Sequence, residues 1–177
     1  MSATEEISES KLLLAEYDRI KEEQKARIGF RDNLLYVTLA SVTGVIAISL
    51  QGKNTDLLLA LPLVCIVLGW TYLVNDEKIS AIGRYIRTEL GPRLTVLSAA
   101  DTPIFGWEVY HRSDRLRVPR KLMQALVDMT AYIAVPAMGL AAFWLHNSAG
   151  PLLIWVSIVE AAALAGMMAQ FLLYAER

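Results

Sequence analysis

The segment "PLLIWVSIVEAAALAGMMAQFLLYA", residues 151–175, decides the fold, because it is 25 residues long and carries a single charged side chain, Glu160. A helix rises ~1.5 Å per residue, so about 20 residues cross the ~30 Å hydrocarbon core of a bilayer. The segment therefore predicts a membrane-spanning helix. Three earlier apolar runs of similar length predict three more such helices, over residues 34–50, 57–74 and 125–145.

The composition of the whole chain agrees with this interpretation. Of its 177 residues, 55% are hydrophobic and 20% charged, which is typical of membrane proteins. The apolar runs lack the alternation of barrel strands, and an open sheet edge cannot be satisfied in lipid. We predict an all-α integral membrane protein with four transmembrane helices in two hairpins, plus cytoplasmic amphipathic helices. Its segments are a cytoplasmic N-terminal helix (1–33), a first transmembrane hairpin (34–74), a cytoplasmic helix and basic segment (75–124), and a second transmembrane hairpin (125–177).

The distribution of basic residues predicts the orientation. Six lysines and arginines precede residue 34 and nine lie between residues 75 and 124, whereas the two short loops carry only Lys53. By the positive-inside rule, both termini and the middle segment are cytoplasmic, in a multi-pass protein of the cell inner membrane. Residues 1–33 are polar and charged, so we expect no cleavable signal peptide.

One face of the N-terminal helix is predicted to need a partner. This face consists of residues that recur at three- and four-residue steps: Leu13, Tyr17, Ile20, Gln24 and Ile28. That partner is either the chain's own cytoplasmic segment or a second copy, and the pattern fits both.

The second span is predicted to continue as one long amphipathic helix into the middle segment. We expect this helix to end at Gly91 and Pro92, which are common helix terminators. In the two short outer loops, Asp56 is a suitable N-cap for the second span, and Pro151 fits the first turn of the fourth.

Glu160 lies ~13 Å into its span, where a charged residue costs about 2.5 to 3.5 kcal/mol on insertion scales. It falls in a partly polar stripe, which we regard as the candidate site: Ser157, Glu160, Ala163, Met167 and Gln170. In a structural interpretation, the neutral carboxyl hydrogen-bonds a hydroxyl such as Thr38, Ser41 or Thr43. In a functional one, the stripe lines a water-filled path. Since an isolated four-helix bundle is too narrow for an aqueous pore, that path would need several copies around an axis.

Small residues at four-residue spacing predict close helix packing. They are Ala40 and Gly44 in the first span and Ala161, Ala165 and Ala169 in the fourth.

A basic cluster lies near the end of the predicted cytoplasmic segment 75–124. Its members are Arg112, Arg115, Arg117, Arg120 and Lys121. It could bind the phosphate of an anionic lipid or of a cytoplasmic nucleotide. The positive-inside bias alone also produces such a cluster.

Signatures of enzymes are missing from the sequence. It contains no phosphate-binding glycine loop, no H-E-x-x-H, no G-x-S-x-G and no paired cysteines. His111 and His146 fall on opposite sides of the membrane in this topology, and Cys65 is the lone cysteine. We therefore predict no catalytic residues, no metal, no cofactor and no nucleic-acid polymer as partner.

Two segments carry a resemblance to a known group of proteins. They are "EYDRIKEEQKARIGFRDN" (16–33), which leads directly into a span, and "NDEKISAIGRYIRTELGPRL" (75–94), which follows the second span. In this layout the chain resembles the SLATT-type membrane effectors of bacterial anti-phage defence. The resemblance implies a homo-oligomer that is silent until a cytoplasmic signal opens it, with loss of membrane integrity as the outcome.

Our hypothesis from the sequence is an oligomeric inner-membrane effector that forms a gated pore or permeabilises the membrane, with the cytoplasmic segments as its sensing layer. The alternative is a non-conducting anchor or scaffold that docks a cytoplasmic partner protein.

Overall fold

The computed structural model describes residues 8–107, 110, 116–146 and 150–175, and most of these residues are helical with no strand among them. The helices are α1 (Glu9–Gly52), α2 (Ala60–Tyr85), α3 (Gly91–Leu97), α4 (Arg117–Met129), α5 (Val135–Leu145) and α6 (Pro151–Ala175). A 3₁₀ turn, Thr55–Leu59, leads into α2, and two π segments, Ile86–Leu90 and Thr130–Ala134, join α2 to α3 and α4 to α5.

The predicted all-α class with four span-length helices is confirmed. Four helical stretches are long and apolar enough to cross a membrane: Glu9–Gly52, Thr55–Leu97, Pro119–Leu145 and Pro151–Tyr174. These features are those of a multi-pass membrane protein. The first two stretches are 44 and 43 residues long, because no breaker separates their apolar part from the charged part that precedes or follows it.

Two predicted helix boundaries are wrong. The helix does not end at Gly91 and Pro92, since both lie in the first turn of α3. The preceding π segment makes this arrangement tolerable, because the Gly91 N–H bonds the Ile86 carbonyl five residues back and a proline at a helix start loses no required donor. At the outer turn the capping residue is Asn54, whose side chain accepts from the Asp56 N–H at 3.0 Å. The predicted start of α6 at Pro151 is confirmed.

The chain divides into two compact units. The charged unit comprises the described residues up to Gly29 and those from Asp76 to Arg117. The span unit comprises Phe30–Asn75 and the described residues from Val118 onward.

In the charged unit, the predicted face of α1 packs against the chain's own later segment. Leu13 is buried in an apolar cluster with Ile86, Leu90 and Leu94. Tyr17 stacks on Phe105 with ring centroids 3.9 Å apart, and the Gln24 side chain donates to the Ile79 carbonyl at 3.2 Å. Of the two partners left open by the pattern, the structure therefore has the intramolecular one, although Ile28 remains exposed.

Polar contacts fix the same surfaces of the charged unit. The Tyr85 hydroxyl donates to the Glu16 carboxylate at 2.7 Å, and this hydrogen bond raises the pKa of Tyr85. A second contact lies further along the same two segments, where Arg93 on α3 pairs with Glu9 at the start of α1 at 3.0 Å. These contacts hold the start of α1 to the end of α2 and to α3.

The span unit has one apolar core that draws on all four spans. Its central side chain is Tyr132, which is fully buried in the π segment between α4 and α5. Cys65, on α2, is likewise fully buried. The buried core members are Leu34, Leu59, Tyr72, Leu73, Ala131, Tyr132, Ile133, Leu140, Phe143, Leu164, Met167 and Phe171.

Candidate functional site

The fourth span turns Glu160 toward the interior of the span unit. Buried positions on α6 recur in alternating steps of three and four, namely Ser157, Glu160, Leu164, Met167 and Phe171. Such a pattern with an average period of 3.5 is the seam of a helix packed lengthwise against its neighbours. Glu160 is only 8% exposed, so it does not face outward toward a neighbouring copy.

The structure therefore revises the predicted polar stripe. Ser157, Glu160 and Met167 are buried together on the inner face, and Gln170 is half-buried. Ala163 is exposed and does not belong to the stripe. Leu164 takes its place, because a helix packed lengthwise follows a period of 3.5 rather than a simple three-residue step. In this single chain Glu160 is directed toward the interior of the span unit, and its place on an axis between several copies stays a prediction.

The predicted hydrogen bond to Glu160 is also absent. Its Oε2 atom is buried and has no hydrogen-bond partner among the described residues. Thr38 and Thr43 instead donate to carbonyls of their own helix, those of Leu34 and Leu39, each at 2.8 Å. A hydroxyl in an apolar environment is readily satisfied by the carbonyl four residues back, so the hydroxyl hydrogens of Thr38 and Thr43 are not available to Glu160.

Ser157, the hydroxyl nearest to Glu160 along the inner face of α6, is engaged in the same way. It is fully buried and donates to the Ile154 carbonyl at 2.8 Å. Glu160 is therefore an enclosed mid-span acid whose Oε2 atom has no hydrogen-bond partner among the described residues.

A second polar group without a partner lies deeper in the core. The Tyr132 hydroxyl makes no hydrogen bond of good geometry among the described residues, because the neighbouring Thr38 hydroxyl donates to the Leu34 carbonyl instead. Its ring packs against Tyr72 and Phe171, with centroids 5.1 and 5.9 Å away. The π segment that carries Tyr132 widens the helix by one residue per turn, a local distortion often found at functional sites.

Next to this ring, a polar contact links α2 and α4. The Gln124 side chain donates to the Tyr72 hydroxyl and to the Asp128 carboxylate, both at 2.9 Å. Asp128 is buried. The core of the span unit thus contains satisfied polar groups around Gln124 and unsatisfied ones at Tyr132 and Glu160.

The predicted helix-packing residues do not pack within the chain. Ala40, Ala161, Ala165 and Ala169 are exposed. A Cβ built on the half-buried Gly44 would meet nothing within 4 Å. The small-residue face of α6 is therefore directed away from the core, because the inner seam is occupied by larger side chains.

Close helix approach occurs instead at two other glycines. A Cβ on Gly69 would come within 2.9 Å of the Tyr132 ring and 3.0 Å of the Met167 sulfur. A Cβ on Gly139 would come within 2.8 Å of Leu61 and 3.4 Å of the Leu58 carbonyl. Neither glycine belongs to a small-x-x-x-small pair in the prediction, and a single glycine in an apolar run gives little signal.

The structure describes only part of the predicted basic cluster. Arg112 and Arg115 lie outside the described residues, and the side chain of Arg117, which begins α4, does as well. Arg120 and Lys121 are exposed on the first turn and a half of α4. Within the described part of the chain, no three His, Cys, Asp or Glu side chains lie where they could hold a metal ion.

Comparison of the chain with family models, curated proteins and solved structures finds no significant match.

Proposed function

We propose that this protein is an oligomeric inner-membrane protein that opens a path across the bilayer in response to a cytoplasmic signal, and that the conformation described here is its closed state. The observation that supports this proposal best is Glu160, an enclosed mid-span acid whose Oε2 atom finds no hydrogen-bond partner in the described part of the chain.

An unpartnered acid favours opening on energetic grounds. Burying a polar group without a hydrogen bond costs free energy, and an ionisable residue in the middle of a span is by default a functional residue. Any conformation that admits water to Glu160 would recover that cost and place a carboxylate on the path. The closed bundle is thus destabilised at one defined position, while the packing around Tyr132 opposes its opening.

Self-association is supported by the small residues that the core does not use. Ala161, Ala165 and Ala169 form an exposed row on α6, and small residues allow helices in lipid to approach closely. We propose that a helix of a second copy of the chain packs on this row. The placement of both termini in the cytoplasm rests on the positive-inside rule, and a role in anti-phage defence rests on the resemblance to SLATT-type effectors.

Glu160→Leu tests the proposal. Removing an acid that costs about 2.5 to 3.5 kcal/mol is expected to lower the open fraction about 100-fold. Purified full-length protein in vesicles would be assayed for release of an entrapped dye and for current across a planar bilayer. Val159→Leu is the matched control, because Val159 neighbours Glu160 but is 64% exposed.

Two results would contradict the proposal. One is a wild-type protein that passes no current in long recordings at any voltage, because a closed bundle destabilised at Glu160 must still open occasionally without its signal. The other is a Glu160→Leu protein that conducts as well as the wild type and the Val159→Leu control.

A second candidate function is a non-conducting anchor that docks a cytoplasmic partner protein. The compactness of the charged unit favours it, because Leu13, Ile86, Leu90 and Leu94 give that unit an apolar cluster of its own. The same vesicles separate the two functions, since an anchor would leave them sealed.

A further inference from the structure

The charged unit contains a cavity of about 350 Å³ beside the π segment Ile86–Leu90. This volume is at the lower end of the range for small-molecule sites. Its walls come from α3, from the π segment and from residues 103–105, and they are predominantly apolar. The lining residues that matter below are Ile86, Arg87, Gly91, Thr95, Ile104 and Phe105.

Arg87 is the charged residue among the described side chains that line this cavity. Its Nη1 atom is buried and has no hydrogen-bond partner among the described residues. Three other arginines of the charged unit are paired with acids: Arg19 with Glu22 at 3.2 Å, Arg27 with Glu23 at 2.7 Å and Arg93 with Glu9 at 3.0 Å. A guanidinium that is partly withdrawn from water needs an anionic acceptor, and Arg87 has none from the described chain.

The backbone around the cavity is closely constrained at two positions. A Cβ on Gly91 would come within 3.0 Å of the Ile86 carbonyl and 3.4 Å of the Ile104 carbonyl, so only glycine fits between these two segments. Phe105 has a φ of 61°, a conformation that a residue with a Cβ adopts only when its surroundings hold it. Tyr17, stacked on the Phe105 ring at 3.9 Å, supplies that restraint. The pocket is thus preformed rather than a gap between loosely packed side chains.

The chemistry of the walls defines the ligand. Among the described lining residues only Arg87 and Thr95 have polar side chains, and the Thr95 hydroxyl is already used twice. It donates to the Gly91 carbonyl at 2.9 Å and accepts from the Ile104 N–H at 3.1 Å. The cavity therefore offers one cationic donor group and otherwise aliphatic and aromatic surface. A nucleotide would bring a base and ribose hydroxyls that these walls cannot satisfy.

We propose that this cavity binds a small aliphatic monoanion, a medium-chain carboxylate, whose charged head pairs with the Arg87 guanidinium and whose chain lies against Ile86, Ile104 and Phe105. The carboxylate would accept from the planar guanidinium in a charge-assisted hydrogen bond. The proposal concerns ligand binding only and stands whether or not the protein conducts.

Decanoate is the probe that tests this site. Full-length protein in lipid nanodiscs would be titrated with decanoate by calorimetry, with empty nanodiscs subtracted to remove partition into lipid. We expect one saturable site per chain. Decanol, which keeps the chain and lacks the charge, should bind at least about tenfold more weakly because it forfeits a hydrogen bond to a charged group.

Arg87→Gln and Arg84→Gln form a matched pair of variants. Both remove one positive charge, and they are three residues apart, but Arg84 is exposed and does not line the cavity. Arg87→Gln should weaken decanoate binding about tenfold or more, whereas Arg84→Gln should leave it unchanged. Amide hydrogen exchange of residues 86–105 in the wild type gives a second measurement that does not depend on a variant, and decanoate should slow it.

Several outcomes would overturn the proposal. They are the absence of saturable decanoate binding together with unchanged exchange in residues 86–105, equal binding by Arg87→Gln and Arg84→Gln, or equal binding of decanol. Displacement of decanoate by adenosine monophosphate would assign the site to a nucleotide, and displacement by inorganic phosphate would assign it to a free anion. Either result would exclude a medium-chain carboxylate as the ligand of this cavity.

Discussion

Replacing Tyr132 with alanine is expected to lower the free energy of unfolding of the span unit by about 3 to 5 kcal/mol, the range for truncating a large buried aromatic. The Tyr132 ring is fully buried and contacts the rings of Tyr72 and Phe171. In lipid, helix association depends on such packing rather than on the exclusion of water, so the cavity left by alanine would not be compensated. Thermal unfolding in a mild detergent, followed by circular dichroism, would measure the loss.

Tyr132→Phe is the informative control for this variant. It keeps the ring and deletes only a hydroxyl that has no partner among the described residues. Removing an unsatisfied buried polar group is neutral or stabilising, so Tyr132→Phe should match or exceed the wild type. A large loss of stability in Tyr132→Phe would mean that the hydroxyl is bonded, and would contradict this view of the core.

Gly139→Leu is expected to disrupt the packing between α5 and the start of α2 by more than about 3 kcal/mol, the upper end of overpacking costs. Even the first added atom, the Cβ, would lie 2.8 Å from Leu61 and 3.4 Å from the Leu58 carbonyl. The Leu61 methyl could rotate away from a Cβ alone, but the three further carbon atoms of a leucine would have to enter the same space beside the Leu58 backbone. The yield of folded protein in size-exclusion chromatography and the unfolding temperature would both fall.

Gly166→Leu provides the comparison, because a Cβ on Gly166 would meet nothing within 4 Å. The stability of the single chain should therefore be nearly unchanged. If Gly139→Leu were tolerated as well as Gly166→Leu, the close approach of α5 to α2 would be excluded as a feature of the folded protein.

The number and position of the spans could be predicted because apolar length alone defines them. The faces of those spans could not. A helix that is apolar all round carries no periodic signal for its inner side, and on α6 the polar and small residues suggested Ala163 where the structure buries Leu164. The orientation of Glu160 depended on that choice, and so did the interpretation of its role.

The charged unit shows the opposite case. There the apolar residues of α1 alternate with charged ones, so the face through Leu13 and Tyr17 could be predicted correctly. Arg87 could not be recognised, because an arginine in a charged helix is ordinarily solvated. Its burial follows from the π segment and from the close approach at Gly91, and neither is encoded in a local pattern that sequence inspection detects. Gly91 and Pro92 suggested a helix end because the preceding π segment, which lets the helix continue through them, could not be foreseen either.

Cys65 gives the chain a built-in chemical reporter. It is the only cysteine among the 177 residues, and its side chain is fully buried on the same unit as Glu160. A thiol enclosed in this way reacts with a water-soluble maleimide only during the intervals when water enters the bundle. The rate at which the unmodified protein is alkylated thus measures how often water enters the bundle. The measurement requires neither a fluorophore nor an engineered substitution.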